Sequence, residues 1–200
     1  MSGPSFVYLV DDDISFLRAL ERFLRSKGYD CLAFASAEEF LAAHDPNQPG
    51  CAVIDLTMPG IDGMQLQNLL KRVGRPLLFV SGNGDLPIGV LAMKQGAVDF
   101  LTKPINENAL LSAVDEALQR DLAARTDRQK HNHAVLKITS LTLRERQVFD
   151  LVVAGRLNKQ IAHDLEISEK TVKLHRGRMM TKLGVRSVTD LVRLQEMLTP

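Results

Sequence analysis

Acidic, hydroxyl and ammonium side chains follow short apolar runs at four places in the first half of the sequence. Residues 11–13 are all Asp, Asp55 and Ser81 end two further runs, and Lys103 comes shortly after a fourth. Oxygen ligands that converge on one point favour Mg²⁺, and a carboxylate is a competent nucleophile toward phosphorus. In such a site the metal and the Lys would neutralise the transferred group, while the hydroxyl would donate to one of its oxygens.

Each of these side chains also has a plain structural role open to it. An Asp after a strand often caps the next helix, and we expect Asp13 to do so for the helix that begins at Ile14. Taken singly, the three other carboxylates could equally cap helices or lie in solvent. Their combination with the hydroxyl and the ammonium at successive strand ends favours a site.

Short apolar runs alternate with amphipathic stretches over the first 120 residues, and this alternation predicts the elements that hold the site. Predicted strands, rich in β-branched or aromatic residues, cover 6–10, 31–34, 52–56, 77–81 and 98–101. Predicted helices cover 14–27, a stretch from residue 37, and 64–73, 86–95 and 106–122. Strict alternation implies an α/β fold, a doubly wound parallel sheet with helices on both faces. Function in such sheets lies at the carboxyl ends of the strands.

Residues 141–198 have a purely helical pattern, with segments at 144–154, 158–165, 169–183 and 187–198. In the third segment, Val172, Met179 and Leu183 mark an apolar stripe that we expect to face inward, and Ser168 is a good N-cap. The rest of this helix is basic, with Lys170, Lys173, Arg176, Arg178 and Lys182. The major groove accepts such a helix, although an isolated basic helix is often only a solvated face.

Composition separates the two halves. Residues 1–120 carry 10 Lys or Arg against 15 Asp or Glu, whereas residues 121–200 carry 15 against 9, which makes polyanion binding plausible for the second half. The polar stretch 121–139 predicts a partly helical linker between domains 1–120 and 140–200.

We find no membrane span and no secretion signal, and the only two cysteines suit buried thiols. These features predict a cytoplasmic protein.

Four motifs of the first half have a specific order and spacing: VDDD at 10–13, DLTMPG at 55–60, SGNGD at 81–85 and DFLTKP at 99–104. Together they make residues 5–120 resemble a response-regulator receiver domain. The resemblance implies a five-stranded, flavodoxin-like sheet of order 2-1-3-4-5 and a phosphoacceptor at Asp55. It also implies a Mg²⁺ site formed by Asp11, Asp12, Asp55 and the backbone carbonyl of Thr57.

The same resemblance assigns the switch. Ser81 would be the switch hydroxyl, Lys103 the partner of the phosphoryl group, and Phe100 the rotating aromatic residue, with a cis peptide at Lys103-Pro104. Asn83 departs from the His that we associate with this loop in the closest subfamily. The lifetime of the phosphoryl group therefore does not carry over from relatives.

Three motifs of the second half, LTLRERQV at 141–148, AGRLNKQIA at 154–162 and LEISEKTVKLH at 165–175, resemble the LuxR-type helix-turn-helix. The implied recognition helix covers about 169–182, in a small all-α domain of four helices. The implied groove contacts are Lys173, Leu174, Arg176, Gly177 and Arg178. The implied phosphate-positioning residues are Asn158, Lys159, Thr171, His175 and Lys182.

The combination resembles the NarL/FixJ class of two-component response regulators. It implies a transcriptional regulator, expected to be an activator, that is phosphorylated by a sensor histidine kinase and binds double-stranded promoter DNA. The expected dimer forms on phosphorylation through residues 86–120, and RNA polymerase is a further expected partner. We expect a phosphoacceptor rather than an enzyme.

Two alternatives remain at this stage. One is a Mg²⁺-dependent phosphatase or phosphotransfer enzyme, and the absence of a substrate-cap insertion argues against it. The other is a constitutive DNA-binding protein with an inactive receiver, and the intact set of site residues argues against that.

Overall fold

A computed structural model describes residues 5–82 and 86–198 of the chain. It divides into two compact units, Met1–Arg125 and Thr126–Pro200. No helix within the described ranges is long and apolar enough to cross a membrane.

The first unit is built on a parallel sheet of five strands in the order β2-β1-β3-β4-β5, as the resemblance to receiver domains implies. Its strands are β1 (Phe6–Val10), β2 (Asp30–Phe34), β3 (Gly50–Asp55), β4 (Leu77–Ser81) and β5 (Phe100–Thr102). The helices that follow them are α1 (Ile14–Ser26), α2 (Ala37–Ala43), α3 (Gly63–Lys71), α4 (Leu86–Lys94) and α5 (Glu107–Thr139).

Alternating residues of β1 pack into two separate cores, one on each face of the sheet. Val7 and Leu9 of β1 pack with α1 and α5, whereas Tyr8 and Val10 pack with α2, α3 and α4. Such near-continuous burial is what helices on both faces produce, and it confirms the predicted layering. Cys31 is buried, as expected for the thiols.

Strand β5 begins later than the pattern predicts, at Phe100 rather than at residue 98. The Asp99 carboxylate accepts the N–H of Phe100 at 2.8 Å, while the Asp99 carbonyl accepts the N–H of Phe79 of β4 at 3.0 Å. The N–H of Val98 likewise donates to the carbonyl of Leu77 at 2.7 Å, and the Val98 side chain is buried in the core with α1 and α5, so the segment before Phe100 already lies along β4.

Helix α5 continues far beyond residue 122, through the whole stretch 121–139 that we predicted to be a partly helical linker. Asp121 is 4% exposed and accepts the N–H of Gly50 at 2.9 Å and Arg125 Nε at 2.7 Å. Its other oxygen lies 4.0 Å from Nη1 of Arg75, which is also 4% exposed. We call these groups the Arg75–Asp121 cluster. The predicted domain limits at 120 and 140 stay a prediction.

The second unit contains α6 (Leu143–Val153), α7 (Asn158–Asp164), α8 (Glu169–Leu183) and α9 (Val188–Glu196). Its core also takes Ala134 and Ile138 from the last turns of α5. Around them pack Phe149, Ile161, Val172, Met179, Leu183 and Leu191, all fully buried. Because this core is small, the end of α5 is a substantial part of it.

Candidate functional site

Three polar side chains lie at the carboxyl ends of neighbouring strands of the first unit. Asp11 directly follows β1, Asp55 is the last residue of β3, and Ser81 is the last residue of β4. They are 3%, 6% and 1% exposed, respectively. Buried carboxylates are unfavourable unless cations or hydrogen-bond donors compensate them, so the partners of the two Asp side chains decide what this pocket can do.

Lys103 joins the two buried carboxylates. Its Nζ lies 2.7 Å from Asp11 Oδ2 and 2.9 Å from Asp55 Oδ1. Its backbone N–H donates to the carbonyl of Ser81 at 2.8 Å, and the peptide bond to Pro104 is cis, as predicted. Burial by itself would lower the pKa of Lys103, but the hydrogen bonds to both carboxylates outweigh it, and the pKa stays above its ordinary value. The ammonium is therefore charged at neutral pH.

Backbone donors hold the remaining oxygens of both carboxylates. Asp11 Oδ1 accepts the N–H of Asp13 at 2.9 Å, and Asp55 Oδ2 accepts the N–H of Thr57 at 2.6 Å. Burial nevertheless raises the pKa of Asp11 above its usual value, against the opposing effect of Lys103. Two carboxylates beside one ammonium leave the pocket with a net negative charge.

The loop after β3 passes close to the phosphoacceptor candidate. A Cβ on Gly63 would lie 2.5 Å from the Asp55 carbonyl oxygen, so only Gly permits this approach. Asp62 caps α3 through the N–H of Gln65 at 2.7 Å. Thr57, whose carbonyl we expect to bind metal, is exposed on this loop.

The acidic residues 11–13 separate into distinct roles. Asp13 caps α1, since its Oδ1 accepts the N–H groups of Ser15 and Phe16. Asp12 is exposed, unlike Asp11. Within residues 5–82 and 86–198, no three His, Cys, Asp or Glu side chains are grouped closely enough to hold a metal ion. The metal-binding roles of Asp11, Asp12, Asp55 and Thr57 stay a prediction.

Phe100 is half-buried and lies between the sheet and α4. Its ring centroid is 6.2 Å from that of Phe79, and a Cβ on Gly89 of α4 would approach the ring to 3.4 Å. A change in the orientation of the Phe100 ring would therefore alter its packing against α4. Asn83 lies outside the described residues.

The basic helix α8 begins and ends at well-defined caps. Ser168 Oγ accepts the N–H of Thr171 at 3.1 Å, and Gly184 adopts a left-handed φ of 67° at the other end. The stripe of Val172, Met179 and Leu183 is fully buried, as the periodicity predicts. The opposite face is therefore free to meet a partner.

That opposite face is a continuous exposed surface with basic rims. Leu174 is 51% exposed at its centre. The surface is lined by Lys173, Leu174, Gly177, Arg178, Thr181 and Lys182. Lys159 at the start of α7 is also exposed, and His175 is half-buried. We call the surface lined by the six residues from Lys173 to Lys182 named above the α8 face.

Asn158, Arg176 and Lys182, all predicted DNA contacts, already have protein partners. Arg176 Nη1 donates to Asn158 Oδ1 at 2.9 Å, so these two candidates hold each other across the helix-turn-helix. Lys182 Nζ donates to Glu145 Oε2 at 2.6 Å. Glu145 is 3% exposed and forms a capping box with Thr142. This places Lys182 in the internal structure of the domain as well as at the rim of the α8 face.

Residues 7–115 match the family of response regulator receiver domains, and residues 139–195 match the LuxR family of bacterial regulatory proteins. The chain therefore belongs to the response regulators that join a receiver domain to a LuxR-type DNA-binding domain. Membership implies a histidine kinase and DNA as partners, and receivers of this family generally bind Mg²⁺ for phosphorylation.

Similar proteins extend over nearly the whole chain. Response regulator protein TodT of Pseudomonas putida (strain F1) is 44% identical over 97% of this chain and 86% of TodT. Transcriptional regulatory protein FixJ of Bradyrhizobium diazoefficiens (strain USDA 110) is 38% identical over 97% of this chain and 96% of FixJ. The solved structure of response regulator StyR has a TM-score of 0.89 and 43% identity, covering 97% of this chain and 99% of StyR.

These relatives confirm the predicted class. The chain is a transcriptional response regulator of the NarL/FixJ type, and its relatives are regulators rather than phosphatases or phosphotransfer enzymes. Two features were missing from the sequence analysis. One is the ring of Phe16, which lies beside Lys103. The other is the Arg75–Asp121 cluster.

Proposed function

We propose that Asp55 accepts a phosphoryl group and that this modification controls DNA binding by the α8 face. The observation that carries the proposal is Lys103, whose ammonium contacts both Asp55 and Asp11 in a buried pocket. A carboxylate oxygen of Asp55 would form a bond to phosphorus as the bond from phosphorus to the donor breaks. The donor is a histidine of the sensor kinase, and Lys103 would pair with the new charge.

The donor set of this pocket suits Mg²⁺. Its groups are oxygens only, and Lys103 offsets just one of the two buried carboxylate charges. Asp11, Asp12, Asp55 and the Thr57 carbonyl would hold the ion, which supplies further neutralisation of the phosphoryl charge when bound.

The phosphoryl group adds about two negative charges at neutral pH, and Ser81 and Phe100 would transmit the change. A state that rests at about 1:99 needs about 5.5 kcal/mol of differential stabilisation to reverse. One charge-assisted hydrogen bond contributes only about 1.5–3 kcal/mol. Ser81 alone is therefore insufficient, and the Lys103 pair and dimer formation have to supply the rest.

The surface next to Phe100 supports the expected dimer through residues 86–120. Leu86, Val90 and Met93 of α4 are 77%, 46% and 43% exposed. With Phe100 they line one apolar groove. A large exposed apolar patch is typical of an interaction surface, and this one adjoins the residue that we propose to rotate.

On the DNA, we propose that Lys173, Leu174, Gly177 and Arg178 enter the major groove. Arg176, which also donates to Asn158, would be a further groove contact. Asn158, Lys159, Thr171, His175 and Lys182 would position the phosphates. A single small module with few phosphate contacts binds weakly, so a dimer on two half-sites is the expected bound form. The protein would act in the cytoplasm, with RNA polymerase as a further partner and activation as the expected outcome.

The proposal is tested with acetyl phosphate and Mg²⁺ on wild type and on Asp55→Ala. Intact mass should show one added phosphoryl group on the wild type and none on the variant. Beryllofluoride should promote dimers of the wild type alone. Phosphorylation of Asp55→Ala at the wild-type level would overturn the assignment of Asp55.

A further inference from the structure

An aromatic ring on α1 is the third neighbour of the Lys103 ammonium. Lys103 Nζ lies 4.0 Å from the centroid of the Phe16 ring. Two neighbours of this ammonium are the carboxylates of Asp11 and Asp55, and the ring face lies beside the same group. A cation within about 6 Å of a ring centroid is attracted by the ring quadrupole.

We propose that Phe16 is a positioning residue for phosphorylation of Asp55, acting through Lys103. This inference rests on the proposed function of Asp55. A Lys side chain has a long flexible stem, and its ammonium must leave the carboxylate to meet an incoming phosphoryl group. A ring against the ammonium keeps it at the sheet edge during that movement and screens it from water on one side, which strengthens its attraction for the phosphoryl oxygens.

The position of the ring is itself fixed by the first turn of α1. Asp13 Oδ1 accepts the N–H groups of Ser15 and Phe16 at 2.9 and 3.1 Å. Phe16 is half-buried against the core that α1 and α5 share. Asp13 thus contributes to the site indirectly, by holding the turn that carries the ring.

The chain offers a matched control on the same helix. Phe23 also packs partly buried against this core, and its ring lies 5.6 Å from Nζ of Lys27 rather than beside Lys103. Phe16→Leu and Phe23→Leu therefore remove the same ring from the same helix and core. Only Phe16→Leu removes it from the phosphorylation pocket.

The experiment measures the rate of phosphorylation of the full chain by acetyl phosphate with Mg²⁺, using intact mass. In this reaction the Asp55 oxygen bonds to phosphorus, the bond from phosphorus to the acetate oxygen breaks, and acetate leaves. We expect Phe16→Leu to be slower by about three- to tenfold, which is the size of a partly desolvated cation–π contact. Phe16→Tyr keeps a ring face and should stay within about twofold of wild type, as should Phe23→Leu.

A second readout does not depend on the reaction. In proton NMR spectra, the ring should shift the Lys103 Hε signals upfield in wild type and Phe16→Tyr, and this shift should vanish in Phe16→Leu. Thermal unfolding of each variant, followed by fluorescence of Tyr8 and Tyr29, separates a folding defect from a positioning effect.

The inference is overturned if Phe16→Leu is phosphorylated at the wild-type rate, or if Phe16→Tyr or Phe23→Leu is as slow as Phe16→Leu. If the wild type itself takes no phosphoryl group, the proposed function fails as well. A phosphorylated wild type with an unaffected Phe16→Leu variant overturns the role of Phe16 alone.

Discussion

Lys103 places its ammonium 2.9 Å from the Asp55 carboxylate, in a pocket where Asp11 brings a second buried negative charge. The ammonium therefore stabilises the unphosphorylated pocket, because it lies between two carboxylates that repel each other. The same group is placed to pair with the phosphoryl group afterwards. A substitution of Lys103 should consequently lower both the stability of the receiver and the phosphorylation of Asp55.

The first prediction concerns Lys103→Met. Without the ammonium, two buried carboxylates face each other, and we expect the receiver to lose roughly 1–3 kcal/mol of its free energy of unfolding, the usual cost of leaving a buried polar group without its hydrogen-bond partner. Because Mg²⁺ would replace the missing cation, the loss should shrink when MgCl₂ replaces EDTA. Chemical denaturation followed by tyrosine fluorescence measures this, since both tyrosines of the chain lie in the first unit.

Lys94→Met is the control for that experiment, because Lys94 is an exposed lysine at the end of α4. It should change stability little in either buffer. An equal loss in EDTA and in MgCl₂ for Lys103→Met would contradict metal binding at this pocket.

The second prediction concerns the Arg75–Asp121 cluster. Asp121→Ala leaves the guanidinium of Arg75 buried without its carboxylate, which we expect to cost about 3–5 kcal/mol of receiver stability. It also removes the acceptor of the Gly50 N–H, so amide exchange should accelerate at Gly50. Glu116→Ala breaks an exposed pair with Arg120 on the same helix and should change stability little. Equal effects of the two variants would mean that the cluster is unimportant.

The third prediction is a pH dependence that comes from His44. Burial first, and then the charge of Arg75, lower the pKa of His44 from 6.5 to about 4. Between pH 4 and pH 6.5, the His44 ring is therefore neutral in the folded receiver and protonated in the unfolded chain. The stability that this contributes is complete above pH 6.5 and is lost as the pH falls toward 4.

Arg75 Nε donates to His44 Nε2 at 3.1 Å, and His44→Gln keeps an acceptor for this bond but does not titrate. Its free energy of unfolding should fall less steeply than that of wild type between pH 6.5 and pH 4. Parallel pH profiles for the two proteins, by tyrosine fluorescence, would rule out His44 as the source.

The fourth prediction separates two lysines of α8. Lys173→Ala should weaken DNA binding about tenfold and relax base discrimination at the position that it contacts, without destabilising the domain. Lys182→Met leaves the buried Glu145 without its cation and should destabilise the domain as well. Stability of this unit can be followed by methyl NMR of Met179, which is fully buried in its core.

Lys130→Ala serves as a control, because it removes an exposed lysine of the same unit outside α8. The assignment of the α8 face fails if Lys173→Ala and Lys130→Ala bind DNA equally well.

Local patterns predicted most of the fold. Alternation of apolar runs and helical stretches predicted β1 and the two-layered cores, and the spacing of Val172, Met179 and Leu183 predicted the buried side of α8. The extent of α5 was not predictable in this way. The stretch after residue 122 is largely polar, and near the midpoint of α5 Asp121 accepts the N–H of Gly50, 71 residues away along the chain.

The residues of the phosphorylation pocket were likewise predicted only in part. Motif spacing indicated Asp11, Asp55, Ser81 and Lys103, because parallel strands bring their carboxyl ends to one edge of the sheet. Nothing in the spacing indicates that Phe16 faces Lys103, since that contact depends on the angle at which α1 packs. A half-buried Phe on an amphipathic helix is ordinarily a core residue.

The central claim is that modification of Asp55 controls DNA binding, and the most direct measurement is of DNA affinity. A binding fragment is first selected from random-sequence DNA with protein that carries beryllofluoride and Mg²⁺. The affinity of wild type and Asp55→Asn for this fragment is then measured with and without beryllofluoride at one fixed salt concentration. We predict that the analogue tightens binding by wild type at least about tenfold, the lower part of the usual range of allosteric coupling. Asp55→Asn should bind equally weakly in both conditions, whereas equal affinity of the wild type with and without the analogue would contradict the account.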